Sequence, residues 1–437
     1  MNKNSSNSKP RVVEKKYLVP FILITSLFAL WGFANDITNP MVAAFQTIME
    51  LPVSKAAWVQ LAFYGGYGTM AIPAALFVRR FSYKKGILLG LGLYAIGAFL
   101  FIPAAQYEQF TFFLLSLYIL TFGLAFLETT ANPYIISMGD EATSTRRLNF
   151  AQSFNPMGSL LGMFVASNYV LTSLDSEKRD AAGNLIFYTL SEAEKATIRS
   201  HDLAIIRNPY VIIGLVVLLV FIIISLTKMP RTQSTDAKNI RAIDSAKRLF
   251  KNHNYREGVL TQFFYVAAQI MCWTFIIQYA ENIGIPKAVG QRWNILAMCL
   301  FLSSRFISTY LMKYLKPSLM LTIFAIGAMT TTLGVIFIGG TTGLYCLVAT
   351  SIFMSLMFPT IYGIALKGLG DDSTLGAAGL VMAIVGGALM PPLQGAIIDL
   401  GTVAWLPAVN ASFILPFICF VAICIYGVRT SKRRILG

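Results

Sequence analysis

Twelve apolar runs, each long enough to cross a bilayer, constrain this chain more than any other feature. They fall near residues 17–45, 56–79, 86–105, 109–138, 148–173, 208–227, 257–280, 290–312, 318–338, 342–367, 375–400 and 406–428. A hydrocarbon core ~30 Å thick takes about 20 apolar residues per helix. Composition agrees: 56% of the 437 residues are hydrophobic and 13% charged, against about 25% charged in soluble domains. The expected fold is therefore an all-α membrane protein of twelve transmembrane helices. The basic leader (Lys9, Arg11, Lys15, Lys16) precedes an apolar segment far longer than a signal peptide's core, so the first span is expected to stay as an anchor. The cysteines Cys272, Cys299, Cys346, Cys419 and Cys424 all lie inside apolar runs without paired spacing. They read as small core residues, and neither a disulfide nor a metal site is expected.

The net charge of +15 could suggest nucleic acid, but the Lys and Arg fall in short clusters between apolar runs. That pattern belongs to cytoplasmic loops facing anionic lipid, and no nucleic-acid partner is expected. Most basic residues lie in the leader, the tail (Arg429, Lys432, Arg433, Arg434), alternate connections such as Arg79–Arg80 and Arg146–Arg147, and the central stretch. An even number of spans puts both termini on one side, and the basic excess makes that side cytoplasmic. The polar, basic segment 228–256 divides the chain into an N-terminal six-helix half (1–227) and a C-terminal six-helix half (257–437). The halves look related. Tyr94-Ala-Ile-Gly-Ala98 echoes Phe324-Ala-Ile-Gly-Ala328, and Gly139-Asp140-Glu141 echoes Gly370-Asp371-Asp372, at nearly one offset. Two halves with substrate bound between them near the midplane is a common transporter plan.

Ionisable groups deep in hydrocarbon cost about 2.5–3.5 kcal/mol on insertion scales and mark function or pairing. Three qualify: Asp36 in span 1, Glu128 in span 4 and Arg305 in span 8. Both histidines, His201 and His253, fall in connections. Asp36 has Asn35 beside it and Asn39 one turn on, and Pro40 is then expected to perturb the helix; Glu128 has Asn132 at i+4, before Pro133. Two helices thus each bring a carboxyl, an amide and a proline to similar depth. The seventh span, counterpart of the first, has no acid before Glu281, and Pro359 stands opposite Glu128, so the intramembrane acids belong to one half. A scaffolding charge would suit both copies, whereas a proton site need exist in only one. Arg305 fits a structural or a functional role equally.

Amides give the second signal. Asn149, Gln152 and Asn155 recur at i, i+3 and i+6 in span 5; Gln262, Tyr265, Gln269 and Trp273 recur along one face of span 7. Buried amides have several donors and acceptors to satisfy, so such stripes face a wet cavity or another helix. Amides, carboxyls and a few aromatics suit a neutral polyol, whose hydroxyls take the hydrogen bonds while a ring covers an apolar sugar face. An anionic substrate would need more cavity cations than Arg305.

The segments LFALWGFAND, FLETTANPY, RLNFAQSFNPMGSLLG, FFYVAAQIMCWTF and FPTIYGIALKGLG, in this order, resemble the fucose–proton symporter family of the major facilitator superfamily over nearly the whole chain. The resemblance implies proton-coupled symport of a monosaccharide, L-fucose first, in a bacterial inner membrane; a monomer is expected, with no cofactor, and the lack of an HExxH motif or a His–carboxylate cluster argues against an enzyme. By motif it implies proton coupling at Glu128 and sugar contacts at Gln152 and Asn155. Span 1 departs from the family pattern: there the acid lies one turn later, where this chain has Asn39, and an Asn stands in place of Asp36. An i, i+3 exchange keeps the carboxyl on one face, about 5 Å along the axis. The candidate set is Glu128 and Asp36 for the proton, and Gln152, Asn155, Asn39, Asn35, Gln262, Tyr265, Gln269 and Trp273 for the sugar. A symporter for glucose, galactose or an amino sugar, or a drug or lipid antiporter, stands as the alternative.

Overall fold

Long apolar sequence has nowhere to place backbone N–H and C=O groups in lipid except in helices, and helices make up nearly all of this chain. The computed structural model describes residues 12–51, 58–178, 180, 185–229, 242–285 and 287–433. Spans 1 to 4 are Leu18–Ile48, Trp58–Arg80, Tyr83–Phe99 continued by Phe101–Tyr107, and Phe110–Ile136. Span 5 comprises Ser144–Gln152 and Phe154–Val165, and span 6 is Glu192–Leu226. In the second half, spans 7 to 9 are His253–Thr274 continued by Ile276–Asn282, Lys287–Leu311 and Pro317–Phe337. Span 10 is Gly340–Met354 with Met357–Ala365, span 11 is Ser373–Met382 with Gly386–Ile398, and span 12 is Ala408–Ser412 with Ile414–Arg433. Among the described residues ten helices are long and apolar enough to cross a membrane. Spans 5 and 7 complete the twelve; the first breaks at Ser153 and the second carries the amide stripe. Large apolar side chains such as Leu61, Ile212, Leu219, Ile307 and Phe337 remain on the outside, where lipid rather than water suits them.

Glycines let the helices of each half approach closely, as small residues do in membranes. A Cβ on Gly32 would sit 2.0 Å from the Asn155 carbonyl oxygen, and one on Gly158 would sit 1.8 Å from that of Ala29. Spans 1 and 5 therefore touch backbone to backbone at the level of Gly32 and Asn155, one turn from Asp36. Likewise a Cβ on Gly123 of span 4 would lie 2.4 Å from the Tyr94 nitrogen of span 3.

Four details differ from the sequence reading. Span 6 begins at Glu192, well before residue 208, because Ser191 and Glu194 form a capping box that starts the helix in polar sequence. His201 consequently lies within that helix, its Nδ1 3.2 Å from an Asp202 oxygen, and His253 opens the span 7 helix. Pro40 does not interrupt span 1, which stays helical to Ile48. Arg147 is not a solvated loop cation. It is wholly buried, and donates to the carbonyls of Ile135 (2.7 Å) and Ile136 at the end of span 4 and of Val12 (2.8 Å) in the leader. The last carbonyls of a helix lack intrahelical partners and favour a cation, so Arg147 fastens the leader to the span 4–5 turn. The cysteines are free, with Cys272 and Cys419 buried and Cys299 exposed.

The leader packs at that turn, and Arg429 of the last helix donates to Glu257 at the start of span 7 (2.6 Å), so both termini lie at one end of the bundle. The halves meet at this termini end. Tyr83 bonds Thr374 (3.1 Å), Asn149 donates to Thr360 (3.1 Å), and Gly363 has no room for a Cβ, which would fall 2.8 Å from the Thr145 hydroxyl. A helix inside the central stretch, Ala242–Lys251, bridges them further. Arg79 of the first half donates to Ser245 (2.9 Å), while Arg248 grips both oxygens of Asp372 (2.7 and 2.8 Å). Half-exposed pairs contribute about 0–1 kcal/mol. Asp372→Asn is thus expected to raise the share of molecules open at the termini end by up to about fivefold. Thiol labelling of Thr145→Cys, in a background without the native cysteines, reads this change; unaltered labelling would remove Arg248–Asp372 as a latch.

Candidate functional site

Helix breaks and amide faces converge on one cavity of about 140 Å³ between the halves. The first half brings Asn35 and Asp36 from span 1, Glu128 from span 4, and Gln152 and Asn155 from span 5. Opposite them stand Tyr265, Gln269 and Trp273 of span 7 and Arg305 of span 8. Sequence candidates from Asn35 to Arg305 thus share one small space.

The backbone around each residue explains its placement. Span 5 breaks at Ser153, whose hydroxyl returns to the Asn149 carbonyl (2.8 Å), and the break presents Gln152 and Asn155 on either side. Gln152 donates from Nε2 to the Asn132 oxygen (2.9 Å), and Asn155 donates from Nδ2 to the Phe28 carbonyl (3.1 Å). Each amide is fixed through its nitrogen, and its oxygen remains to accept from a ligand. Trp273 spends its indole N–H on Ser351 (3.1 Å) and Tyr265 its hydroxyl on the Met354 carbonyl (3.1 Å). Both rings are thereby held with their apolar surface toward the cavity.

Charge is distributed unevenly. The carboxyls of Asp36 and Glu128 line one wall, and the guanidinium of Arg305 lines the other. Arg305 is buried, lies over the Phe301 ring at 4.8 Å, and donates from Nη1 to the Gln152 carbonyl (3.3 Å) across the half boundary. Among the described residues its Nε and the Glu128 Oε2 are buried without a hydrogen-bond partner. Such atoms are costly to bury unmatched, and both border the cavity.

One sequence candidate falls elsewhere. Gln262 does not line the cavity. It is fully buried with neither amide atom partnered among the described residues, and seven residues of helix put it about 10 Å nearer the closed termini end than Gln269. The side chain of Asn39 lies outside the described residues. Conversely, Phe28, Trp31, Tyr64, Tyr67, Ser159, Phe301 and Phe358 also line the cavity. Some were within reach of spacing. Phe28, Trp31 and Asn35 recur at i, i+3 and i+7, as do Met298, Phe301 and Arg305. Among the described residues the Trp31 indole N–H, buried at the cavity wall, has no partner.

The architecture and cavity can be set beside known proteins. The model of the Major Facilitator Superfamily matches residues 22–385. The chain is 72% identical over 422 residues to the L-fucose-proton symporter of Haemophilus influenzae, covering 97% of this chain and 99% of that protein. It is 36% identical over 419 residues to the L-fucose-proton symporter of Escherichia coli, with coverage of 94% and 93%. A glucose/galactose transporter of Brucella abortus is 29% identical over 428 residues, with 96% of each chain covered. Among solved structures, the transporter FucP in its outward conformation superposes with a TM-score of 0.87 at 34% identity, over 95% of this chain and 99% of that one. These relatives are transporters and not enzymes, they match this chain over nearly its whole length, and the FucP structure superposes on 95% of it. The chain is therefore a multi-pass transporter that belongs to the fucose–proton symporter family of the major facilitator superfamily.

Proposed function

We propose that this protein carries L-fucose into the cell together with a proton, by alternating access of a single cavity between its two halves. The observation that carries this reading is the pairing inside that cavity: two carboxyls and two fixed amides on one wall, aromatic faces and a guanidinium on the other. A neutral sugar satisfies the amide oxygens, and its less polar face lies against Tyr265 or Trp273. Glu128 takes the proton, since removal from water disfavours a carboxylate; Asp36 serves as a second proton site or as a sugar ligand. Residues 1–227 and 257–437 act as the two moving bodies, joined by 228–256. The termini end faces the cytoplasm of a bacterial inner-membrane monomer, as the basic excess there suggests. Entry of one proton with a neutral sugar moves one charge, worth ~2.3 kcal/mol per 100 mV plus about 1.4 kcal/mol per pH unit.

Relatives at 72% and 36% identity bear the name of L-fucose-proton symporter, which favours L-fucose over the glucose or galactose of the relative at 29%. Reconstituted protein should take up labelled L-fucose, and excess unlabelled L-fucose should block this uptake. D-glucose, D-galactose and amino sugars should compete at least about tenfold more weakly, since each misplaced hydroxyl strands a hydrogen-bonding group. Stronger competition by D-galactose or D-glucose would assign the site to those sugars.

A further inference from the structure

One face of the helix Ala242–Lys251 is occupied by the rest of the protein. Ser245 accepts from Arg79, Arg248 grips Asp372, and Leu249 is buried. The other face is apolar and exposed. Ile243 and Phe250, two turns apart, are 68% and 74% exposed. Lys247 stands between them at i+4, so the three form one stripe, and Lys251 flanks it; both lysines are exposed. Asp244, the one acid of the helix, lies off the stripe and within electrostatic reach of Arg248.

The attachments fix the depth at which this helix lies. Arg79 is in the last turn of span 2, and Asp372 immediately precedes span 11. The helix therefore crosses the ends of two spans, where hydrocarbon gives way to headgroups. Phe81, two residues beyond Arg79, is exposed, with Arg80 and Lys85 over its ring at 5.7 and 5.2 Å. Apolar surface with basic side chains reaching past it suits that layer. Ten residues of helix measure about 15 Å, too short to span a bilayer but long enough to lie in its surface. Short helices with an apolar stripe and flanking lysines bind there, the stripe among acyl chains and the cations at phosphates.

We propose that Ala242–Lys251 is an interfacial helix seated on anionic phospholipid, and that this seat braces the closed termini end. Ile243 and Phe250 enter the acyl boundary, and Lys247 and Lys251 meet the lipid phosphates. Two lysines and two apolar side chains would anchor a free peptide weakly. Here the protein already holds the helix at the bilayer surface, so the cost of bringing it there and ordering it is met in advance. Charge selects the lipid: each basic side chain near an anionic surface is worth about fivefold in occupancy, and a zwitterionic surface offers the apolar contact alone. The brace follows from the attachments. One helix ties Arg79 of the first half to Asp372 of the second, so lipid that fixes the helix favours the arrangement in which both ties are made.

The test uses lipid nanodiscs, which leave both faces of the protein open to reagent, made of phosphatidylcholine with or without phosphatidylglycerol. In a background lacking the native cysteines, Phe250→Cys is labelled with a neutral, membrane-impermeant thiol reagent, and Asp244→Cys serves as the reference. Phosphatidylglycerol should slow Phe250→Cys relative to Asp244→Cys by up to about thirtyfold, and Lys247→Gln and Lys251→Gln should each remove about fivefold of that protection. Equal rates at the two positions in both lipids would place the stripe in water and overturn the proposal. Protection that is the same in both lipids and indifferent to the lysines would mean that protein, a second copy or a soluble partner, covers the stripe, and would overturn it too. The brace has its own readout. Phosphatidylglycerol should slow labelling of Thr145→Cys by up to about fivefold, the worth of the half-exposed tie it supports; an unchanged rate there would overturn the brace.

Discussion

Glu128→Gln is expected to abolish proton-driven accumulation of L-fucose while leaving exchange of labelled for unlabelled sugar largely intact. Glutamine keeps the size of the side chain and mimics the neutral acid's hydrogen bonding, but it has no proton to release. Net uptake requires the empty carrier to return after losing its proton, whereas exchange returns loaded and needs no proton step. The expected effect is therefore a split. Accumulation in vesicles with an imposed inside-alkaline gradient should fall to the equilibrium level, and exchange in the same vesicles should stay within about fivefold, since a swap that preserves shape and hydrogen bonds perturbs binding by about 1 kcal/mol. The cavity position of Glu128 and the buried, unmatched Oε2 are what make this acid the candidate. If Glu128→Gln still concentrates sugar under a pH gradient, the proton site lies elsewhere, and Asp36 is the next to examine. Asp36→Asn separates its two roles: loss of both activities marks a sugar ligand, and loss of accumulation alone marks a relay.

Gln152→Ala and Asn155→Ala are each expected to weaken L-fucose binding by about 1–3 kcal/mol, or about five- to 150-fold in Kd, without unfolding the protein. The physical cause differs between them. Truncating Gln152 strands a sugar hydroxyl and also the Asn132 oxygen that Gln152 now satisfies at 2.9 Å. Truncating Asn155 strands a sugar hydroxyl and the Phe28 carbonyl at 3.1 Å. Calorimetry on the purified variants reads the affinity, and normal Kd in both would remove the span 5 stripe from the site. In the double variant the two losses should not simply add, because both residues are fixed against spans 1 and 4 around the same small cavity.

The sequence made the helix count and the gathering of the site legible for the same reason. Lipid removes the alternatives: a long apolar run must be helical, and an acid or amide within it must face something polar. Glu128, Asp36, Asn35, Gln152, Asn155, Tyr265, Gln269 and Trp273 could be singled out on that ground and do line one cavity. What apolarity does not report was missed. The early start of span 6 depends on a polar capping box at Ser191 and Glu194, invisible to a hydrophobic window. Arg147 reads as a loop cation in sequence, and its burial follows only from the carbonyls that the span 4 terminus leaves open. Gln262 shares a face with Gln269, yet the stripe is longer than the cavity is deep, so periodicity alone could not tell which of its members reach the site. Trp31 and Phe28 sit in an apolar run, where aromatics are usual; their i, i+3, i+7 register with Asn35 is the available signal.

The departure in span 1 also has a geometric account. Asp36 is buried and lines the cavity from the helix that packs on span 5 through Gly32 and Gly158. That close packing holds Asp36 within the same space as Glu128. A carboxyl there can serve the cavity even though the family pattern has its acid one turn on.

The most direct test of the account is whether the sugar itself moves protons. Vesicles holding the purified protein and a pH indicator in their lumen, at equal pH inside and out and with no membrane potential, should acidify inside when L-fucose is added outside. The proton entry should match labelled L-fucose entry one for one, and D-glucose should produce neither. Entry of labelled L-fucose with no change in lumenal pH, or entry that requires sodium, would contradict proton-coupled symport.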